Sequence, residues 1–262
     1  MTYQTIETQL NQDIAIIWLN RPDLRNAMND VVIAELTEAV GTAIDDDAVR
    51  AILLAGRGSA FCAGGDLNWM KKARDMSAEE ARKDSGHLAG VLRMLYESPK
   101  PTVARVHGPA YAGGMGLVAA CDIAVASADA KFCLSEVKLG LIPSMISPYV
   151  LKAMGEASAR RYFLTGEVFS AAEAYRIGFV HELTRPEELD ATINALLGHL
   201  IAGGPKALGE CKQLIRDMAG RPIDSALTAD TAARIARVRA SDEAQEGIAA
   251  FFEKRKPKWV RQ

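Results

Sequence analysis

The chain has 262 residues, 49% of them hydrophobic, enough to bury a substantial core as one large domain or two small ones. Thirty-one basic residues stand against thirty-three acidic ones, and the formal charge of −2 provides no field to draw the chain to nucleic acid or an anionic membrane. Cys62, Cys121, Cys133 and Cys211 show neither CxxC nor Cys/His spacing, and the four histidines are equally scattered, so the pattern predicts buried free thiols in a reducing compartment rather than a zinc site or a disulfide framework.

The N-terminal run Met1-Thr2-Tyr3-Gln4-Thr5-Ile6-Glu7 lacks both a charged n-region with an apolar core and an Arg-rich presequence, so the expected location is cytoplasmic. Apolar and polar residues then alternate around Asn11-Gln12-Asp13 and continue into Ile14-Ala15-Ile16-Ile17-Trp18-Leu19, the signature of a hairpin ended by Asn20-Arg21-Pro22-Asp23. Asn29 is placed to cap a helix in which Val32, Leu36, Ala39, Val40 and Ala43 recur at helical spacing. A strand is predicted over 51–55. Leu88, Val91, Leu92 and Leu95 mark a second helix before a strand over 103–106, and a helix after Gly114 leads to a further strand over 122–126. This alternation implies a twisted sheet with helical cover. From about Met145 the pattern is helical, with Phe179-Val180-His181 as the only short strand-like run, and the alanine-rich helix over 227–238 reads as a subunit contact.

Two glycine-bearing segments carry the chemistry: Phe61-Cys62-Ala63-Gly64-Gly65-Asp66, and the run from Gly108 to Gly116 with its Gly113-Gly114 pair. Each follows a short apolar strand and leads into a helical pattern. Such turns expose unpaired N–H groups at a helix start, where the dipole also favours negative charge. Neither segment is GxGxxG or GxxxxGK[ST], so a nucleotide-phosphate cradle is not indicated. If the N–H groups of Gly65 and Gly113 hold one carbonyl oxygen, they stabilise the enolate formed as a proton leaves or joins the α-carbon; each such donor is worth about 3 kcal/mol of barrier. Thioesters, and acyl-CoA above all, suit this chemistry. Glu136 follows in the apolar stretch Phe132 to Pro143, where desolvation raises a carboxyl pKa toward neutrality and makes it a usable acid and base. The same residue reads equally well as a surface glutamate paired with Lys138.

Asn20-Arg21-Pro22 with Asn26-Ala27, Phe61 to Leu67, Ala110 to Asp122, Glu136 to Pro143, Leu164-Thr165-Gly166, Ala171 to Ala174 and Phe252 to Lys256 together resemble the crotonase (enoyl-CoA hydratase/isomerase) superfamily, in order and spacing, nearly end to end. The resemblance implies an α/β fold, a spiral of ββα units over 1–195, with a C-terminal α-helical trimerisation region over 196–262, assembled as a homotrimer or a dimer of trimers. It implies oxyanion donors at Gly65 and Gly113, an acid/base at Glu136, and a CoA site lined by Ala63, Gly65, Asp66, Leu67, Asn68 and Gly113. Lys254 matches a basic residue that reaches the CoA of a neighbouring subunit, and Lys71 and Lys72 are further candidates for its phosphates. It implies no metal and no separate cofactor, CoA being part of the substrate.

Two departures stand out. Two-glutamate hydratases of the family carry a second Glu three residues after the oxyanion glycine, where this chain has Gly116. After Ile142-Pro143 most members have a glycine-rich stretch, and this chain has Ser144 to Leu151. With Ala110 to Leu117 and Ala159 to Thr165, that stretch is similar to the bacterial methylglutaconyl-CoA hydratases of leucine breakdown. The isohexenylglutaconyl-CoA hydratases look similar too. The expected reaction is hydration of 3-methylglutaconyl-CoA, with Δ3,Δ2-enoyl-CoA isomerisation as the alternative and a non-catalytic acyl-CoA or RNA binder as a third reading. The second substrate carboxylate would help organise the water, received by Ser144, Ser147, Tyr149, Arg160 or Arg161.

Overall fold

The computed structural model describes residues 2–260. The chain opens with an antiparallel pair, β1 (Ile6–Asn11) and β2 (Ile14–Leu19), in the expected hairpin. Asn29 begins α1 (Asp30–Asp45): its side-chain oxygen accepts the Val32 N–H at 3.0 Å, and Val32, Ile33, Leu36, Ala39, Val40 and Ala43 form the buried stripe. The chain continues through β3 (Ala51–Gly56), α2 (Leu67–Ala73) and α3 (Ala78–Glu97), then β4 (Thr102–Val106), β5 (Ala110–Tyr111) and α4 (Gly113–Ala120). After β6 (Ile123–Ser127) and β7 (Lys131–Cys133), a 3-10 turn at Glu136–Leu139 leads to α5 (Ser147–Thr165), β8 (Phe169–Ser170), α6 (Ala171–Arg176) and β9 (Glu182–Thr184). Four helices close the chain: α7 (Leu189–Ala202), α8 (Pro205–Met218), α9 (Ser225–Arg239) and α10 (Asp242–Phe252).

The larger sheet runs β1-β2-β3-β4-β6-β9, and all its neighbours beyond the first hairpin are parallel. A smaller sheet, β5-β7-β8, is prolonged by parallel bridges between Cys62 and Ala110 and between Met28 and Gly65. Successive passages therefore place one strand in the large sheet, a second short stretch in the small one, and a helix outside. This is a spiral of ββα units with helices following it.

Burial on both faces explains why the central strands are apolar throughout. Side chains alternate along each strand, so Ala51 and Leu53 of β3 meet Leu189, Ile193 and Leu197 of α7 on one face, while Ile52 and Leu54 join the main core with α1 and α3 on the other. The boundary expected between residues 195 and 196 falls inside α7, a helix packed on the sheet.

Two expectations are corrected. Phe179-Val180-His181 is not a strand. The N–H groups of Phe179 and Val180 both turn back to the Ala174 carbonyl to close α6, and both side chains are buried, which accounts for the apolar run. The strand begins three residues later, where β9 pairs with β6 in the register Val125 to Glu182. The thiols are all free, but only Cys62, Cys121 and Cys133 are buried; Cys211 is exposed because it lies on α8, a helix with no buried residue.

Candidate active site

The two glycine segments lie side by side, joined by backbone hydrogen bonds. Cys62 N–H donates to the Pro109 carbonyl at 3.1 Å and Tyr111 N–H to the Cys62 carbonyl at 2.9 Å. On the far side of the first segment, Met28 N–H donates to the Gly64 carbonyl at 2.7 Å and Asp66 N–H to the Met28 carbonyl at 2.8 Å. In a parallel bridge successive peptides point to opposite sides, so the intervening Gly65 N–H turns away from Met28. Gly64 adopts φ of +96°, and a Cβ there would sit 3.0 Å from the Ala112 Cβ, so the first turn is shaped for glycine against the second.

The second turn is strained. Ala112 has φ of 48° and ψ of −119°, a sparsely populated conformation for a residue with a side chain, costing about 1–3 kcal/mol. Its N–H is anchored to the Cys133 carbonyl of β7 at 2.8 Å. The kink starts α4 at Gly113, whose N–H is a first-turn donor with no intrahelical acceptor. Packing keeps the helix start bare at Gly114, where a Cβ would lie 2.5 Å from the fixed Cys62 carbonyl oxygen, while a Cβ on Gly113 would meet only the mobile end of Met28, Cε at 2.4 Å.

Arg21 and Asp66 hold the first turn in place. The Arg21 guanidinium donates through Nη2 to Asp66 Oδ2 at 2.9 Å and through Nη1 to the Ala27 carbonyl at 2.5 Å. Asp66 Oδ1 accepts the N–H groups of Asn68 at 2.8 Å and Trp69 at 3.3 Å, capping α2 directly after Gly65. Burial opposes the Asp66 charge, but the Arg21 hydrogen bond, the two N–H donors and the Arg21 charge outweigh it and hold the carboxyl below its ordinary value. Asn26, also buried, donates to the Arg57 and Ala60 carbonyls at 2.8 Å each and accepts the Arg21 N–H, so it clamps the approach to the same turn.

Glu136 opens the 3-10 turn that follows β7, the strand anchoring Ala112. Its Oε2 is buried with no hydrogen-bond partner among the described residues, and no ion pair with Lys138 forms there. Burial raises its pKa above the ordinary carboxylate value, only partly offset by its own backbone N–H. The apolar-neighbourhood reading thus accounts for Glu136 and the surface-pair reading does not.

Gly116 sits one turn into α4. A Cβ built there would lie 2.1 Å from Ile146 Cγ2 and 2.8 Å from Ile146 Cβ, with Leu92 Cδ2 at 3.6 Å, and Ile146 is buried.

The remaining predicted residues scatter. Ala63 is half-buried in the first turn, and its N–H is taken by the Arg25 carbonyl at 2.9 Å. Leu67 and Asn68 lie exposed at the start of α2. Lys71 and Lys72 are exposed in its last turn. Lys254 is exposed just after α10 with a left-handed backbone, φ 52°. Arg160 pairs with Glu156 and Arg161 with Glu167, both on the surface; Ser147 Oγ donates to the Ser144 carbonyl, and Tyr149 packs edge-on against Tyr96. None of these five groups makes a hydrogen bond or an ion pair with Glu136. Sequence reasoning assigned no role to Met28, Ala112 or Ile146, and Arg21 entered only within a motif. A signal existed for Ile146 alone, in the replacement of a glycine-rich stretch by bulkier residues.

Among the described residues no cluster of three or more His, Cys, Asp or Glu side chains is arranged to hold a metal ion, and no helix is long and apolar enough to cross a membrane.

Comparison with known proteins covers nearly the whole chain. The model of the family described as enoyl-CoA hydratase/isomerase matches residues 9–262. The crotonyl-CoA hydratase of Syntrophomonas wolfei is 32% identical over 262 residues, 99% of each chain, and the 1,2-epoxyphenylacetyl-CoA isomerase of Escherichia coli is 32% identical over 261 residues, 97% of this chain and 98% of its own. A crystal structure of an enoyl-CoA hydratase from Shewanella pealeana superposes with a TM-score of 0.95 at 41% identity, covering 98% of this chain and 96% of that one.

Proposed function

The chain belongs to the enoyl-CoA hydratase/isomerase family, and on that premise we propose that it adds water reversibly to 3-methylglutaconyl-CoA, giving 3-hydroxy-3-methylglutaryl-CoA. The observation that carries the chemistry is the pairing of two glycine turns, each with an uncommitted N–H, next to the strand that leads to the desolvated Glu136.

The thioester oxygen accepts hydrogen bonds from the N–H groups of Gly65 and Gly113. Glu136, as carboxylate, takes a proton from water while the water oxygen bonds to the β-carbon. The electron pair of the double bond moves to the thioester oxygen as an enolate, held by the same two donors. Protonated Glu136 then returns the proton to the α-carbon, and the carbonyl re-forms. Atoms balance with one carboxylate and one water, and the reverse path uses the same groups. The strain at Ala112 fixes one donor before the substrate arrives, which is the kind of preorganisation that stabilises a transition state rather than a ground state.

The identity of the acyl group is supported by the likeness of the segments 110–117, 144–151 and 159–165 to methylglutaconyl-CoA hydratases, and by the place of Gly116, which leaves the substrate's own carboxylate to organise the water. Δ3,Δ2-enoyl-CoA isomerisation is the second reading. Ile146 favours it, because that side chain fills the space beside Gly116 with hydrocarbon, and a proton shuttle needs Glu136 alone. Heavy-oxygen water separates them: hydration places one solvent oxygen in the product, and isomerisation places none.

CoA enters as part of the substrate, with Ala63, Asp66, Leu67 and Asn68 beside it at the first turn. Assembly as a homotrimer or dimer of trimers is supported by the apolar side chains that the C-terminal helices leave in water, Ile215, Ile235, Phe251 and Phe252 among them, together with Ile223 in the connection between α8 and α9. In such an assembly Lys254 serves the CoA of a neighbouring subunit. Cytoplasmic residence fits a CoA-dependent reaction.

A further inference from the structure

We infer that Ile146 is a specificity-determining residue: it and Gly116 form a reciprocal pair in which the bulk of one requires the absence of a side chain on the other. The pair keeps Glu136 the only carboxylate acting on the substrate. The inference rests on the enolate reading of the site.

The argument begins with α4. Glycine inside a helix costs about 1 kcal/mol relative to alanine, yet α4 carries glycine at 113, 114 and 116. Gly113 and Gly114 face Met28 and the Cys62 carbonyl, as described above. Gly116 faces Ile146 alone at close range, and the approach of 2.1 Å to Cγ2 and 2.8 Å to Cβ excludes even a methyl group. Ile146 cannot swing aside. It is β-branched, it is 2% exposed, and its carbonyl accepts the N–H groups of Tyr149 and Val150 at the start of α5.

Leu88 and Leu92 of α3 complete the wall. A Cβ at Gly113 would lie 3.8 Å from Leu88 Cδ2, and one at Gly116 3.6 Å from Leu92 Cδ2. The side of α4 that continues from the oxyanion donor is therefore lined with hydrocarbon from Met28, Leu88, Leu92 and Ile146. At Gly116 it leaves no room for a side chain of any kind. The two departures from the two-glutamate pattern read in the sequence, Gly116 and the stretch around Ile146, are thus one event in space. A substrate that relies on the enzyme for a second water-holding group is disfavoured, and one that brings its own carboxylate is not.

The test is a double-mutant cycle with Gly116→Glu, Ile146→Gly and the pair, read by thermal melting and by hydration of crotonyl-CoA, with Gly116→Ala and Gly116→Ala/Ile146→Ala as milder versions should Gly116→Glu fail to fold. Overpacking should lower the Tm of Gly116→Ala by roughly 5 °C, and adding Ile146→Ala should recover part of that loss. Gly116→Glu/Ile146→Gly should hydrate crotonyl-CoA at least about tenfold faster than either single variant. Additive Tm shifts, or no gain in crotonyl-CoA hydration by the double variant, overturn the proposal. Failure of the wild type to hydrate 3-methylglutaconyl-CoA is a separate result: it removes the proposed substrate and leaves the cycle readable.

Discussion

Replacing Arg21 with leucine should destabilise the protein and slow its chemistry together, because one ion pair holds the turn that carries Gly65. The side chains are 17% exposed at Arg21 and 8% at Asp66, and the pair lies at 2.9 Å. Removing one partner from a buried pair costs about 3–5 kcal/mol, since the other charge is left uncompensated. Asp66 retains the N–H groups of Asn68 and Trp69, which places the expected cost near the low end, about 3 kcal/mol. For a protein of this size that is a fall in Tm of roughly 6–12 °C. The pH dependence follows from the lowered pKa of Asp66: its stabilising contribution is present above the unfolded aspartate value, about 3.9, and disappears as pH falls through the lower folded value. The Tm difference between wild type and Arg21→Leu should therefore be full at pH 7 and shrink below about pH 4. Steady-state kinetics should show kcat falling more than KM rises, the mark of a misplaced transition-state donor. A variant that melts with the wild type, or a Tm gap that persists unchanged at pH 3, would refute this account of the turn.

Ala112→Val should cost about 2 kcal/mol or more in chemical denaturation, since a β-branched residue tolerates the strained backbone least. Ala112→Gly should stay within about 1 kcal/mol of wild type, relief of strain being offset by chain entropy. Glu136→Gln should melt above the wild type at pH 8 and lose that advantage at pH 4: the raised carboxyl contributes stability below the unfolded glutamate value, and that contribution is lost as pH rises through the folded one. For the same reason the acid limb of the wild-type kcat/KM profile should lie above the ordinary glutamate value of about 4.3.

Most of the frame was legible because its signals are local. The Asn29 cap, the stripe of α1 and the apolar runs of β3, β4 and β6 report burial residue by residue. The short strands β5, β7 and β8 were not, since two or three residues carry no period and their pairing is set by partners such as Cys62 and Cys133 far along the chain. The strand misplaced onto Phe179-Val180-His181 shows the same limit, for burial at a helix end looks like burial in a strand. At the site, glycine and a lone glutamate could be read as chemistry. Most of the supports could not: Ala112 is conspicuous only through its φ, and Arg21 and Met28 only through what lies across from them, while Ile146 was marked by its stretch but not by its contact with Gly116.

The most direct test of the central claim follows enoyl-thioester absorbance with 3-methylglutaconyl-CoA and crotonyl-CoA side by side, in wild type and in Glu136→Gln. The single-carboxylate hydratase predicts rapid hydration of the branched dicarboxylic substrate, little or none of crotonyl-CoA, and no turnover of either by the variant. Equal turnover of both substrates, or a Glu136→Gln enzyme that keeps its rate, would contradict it.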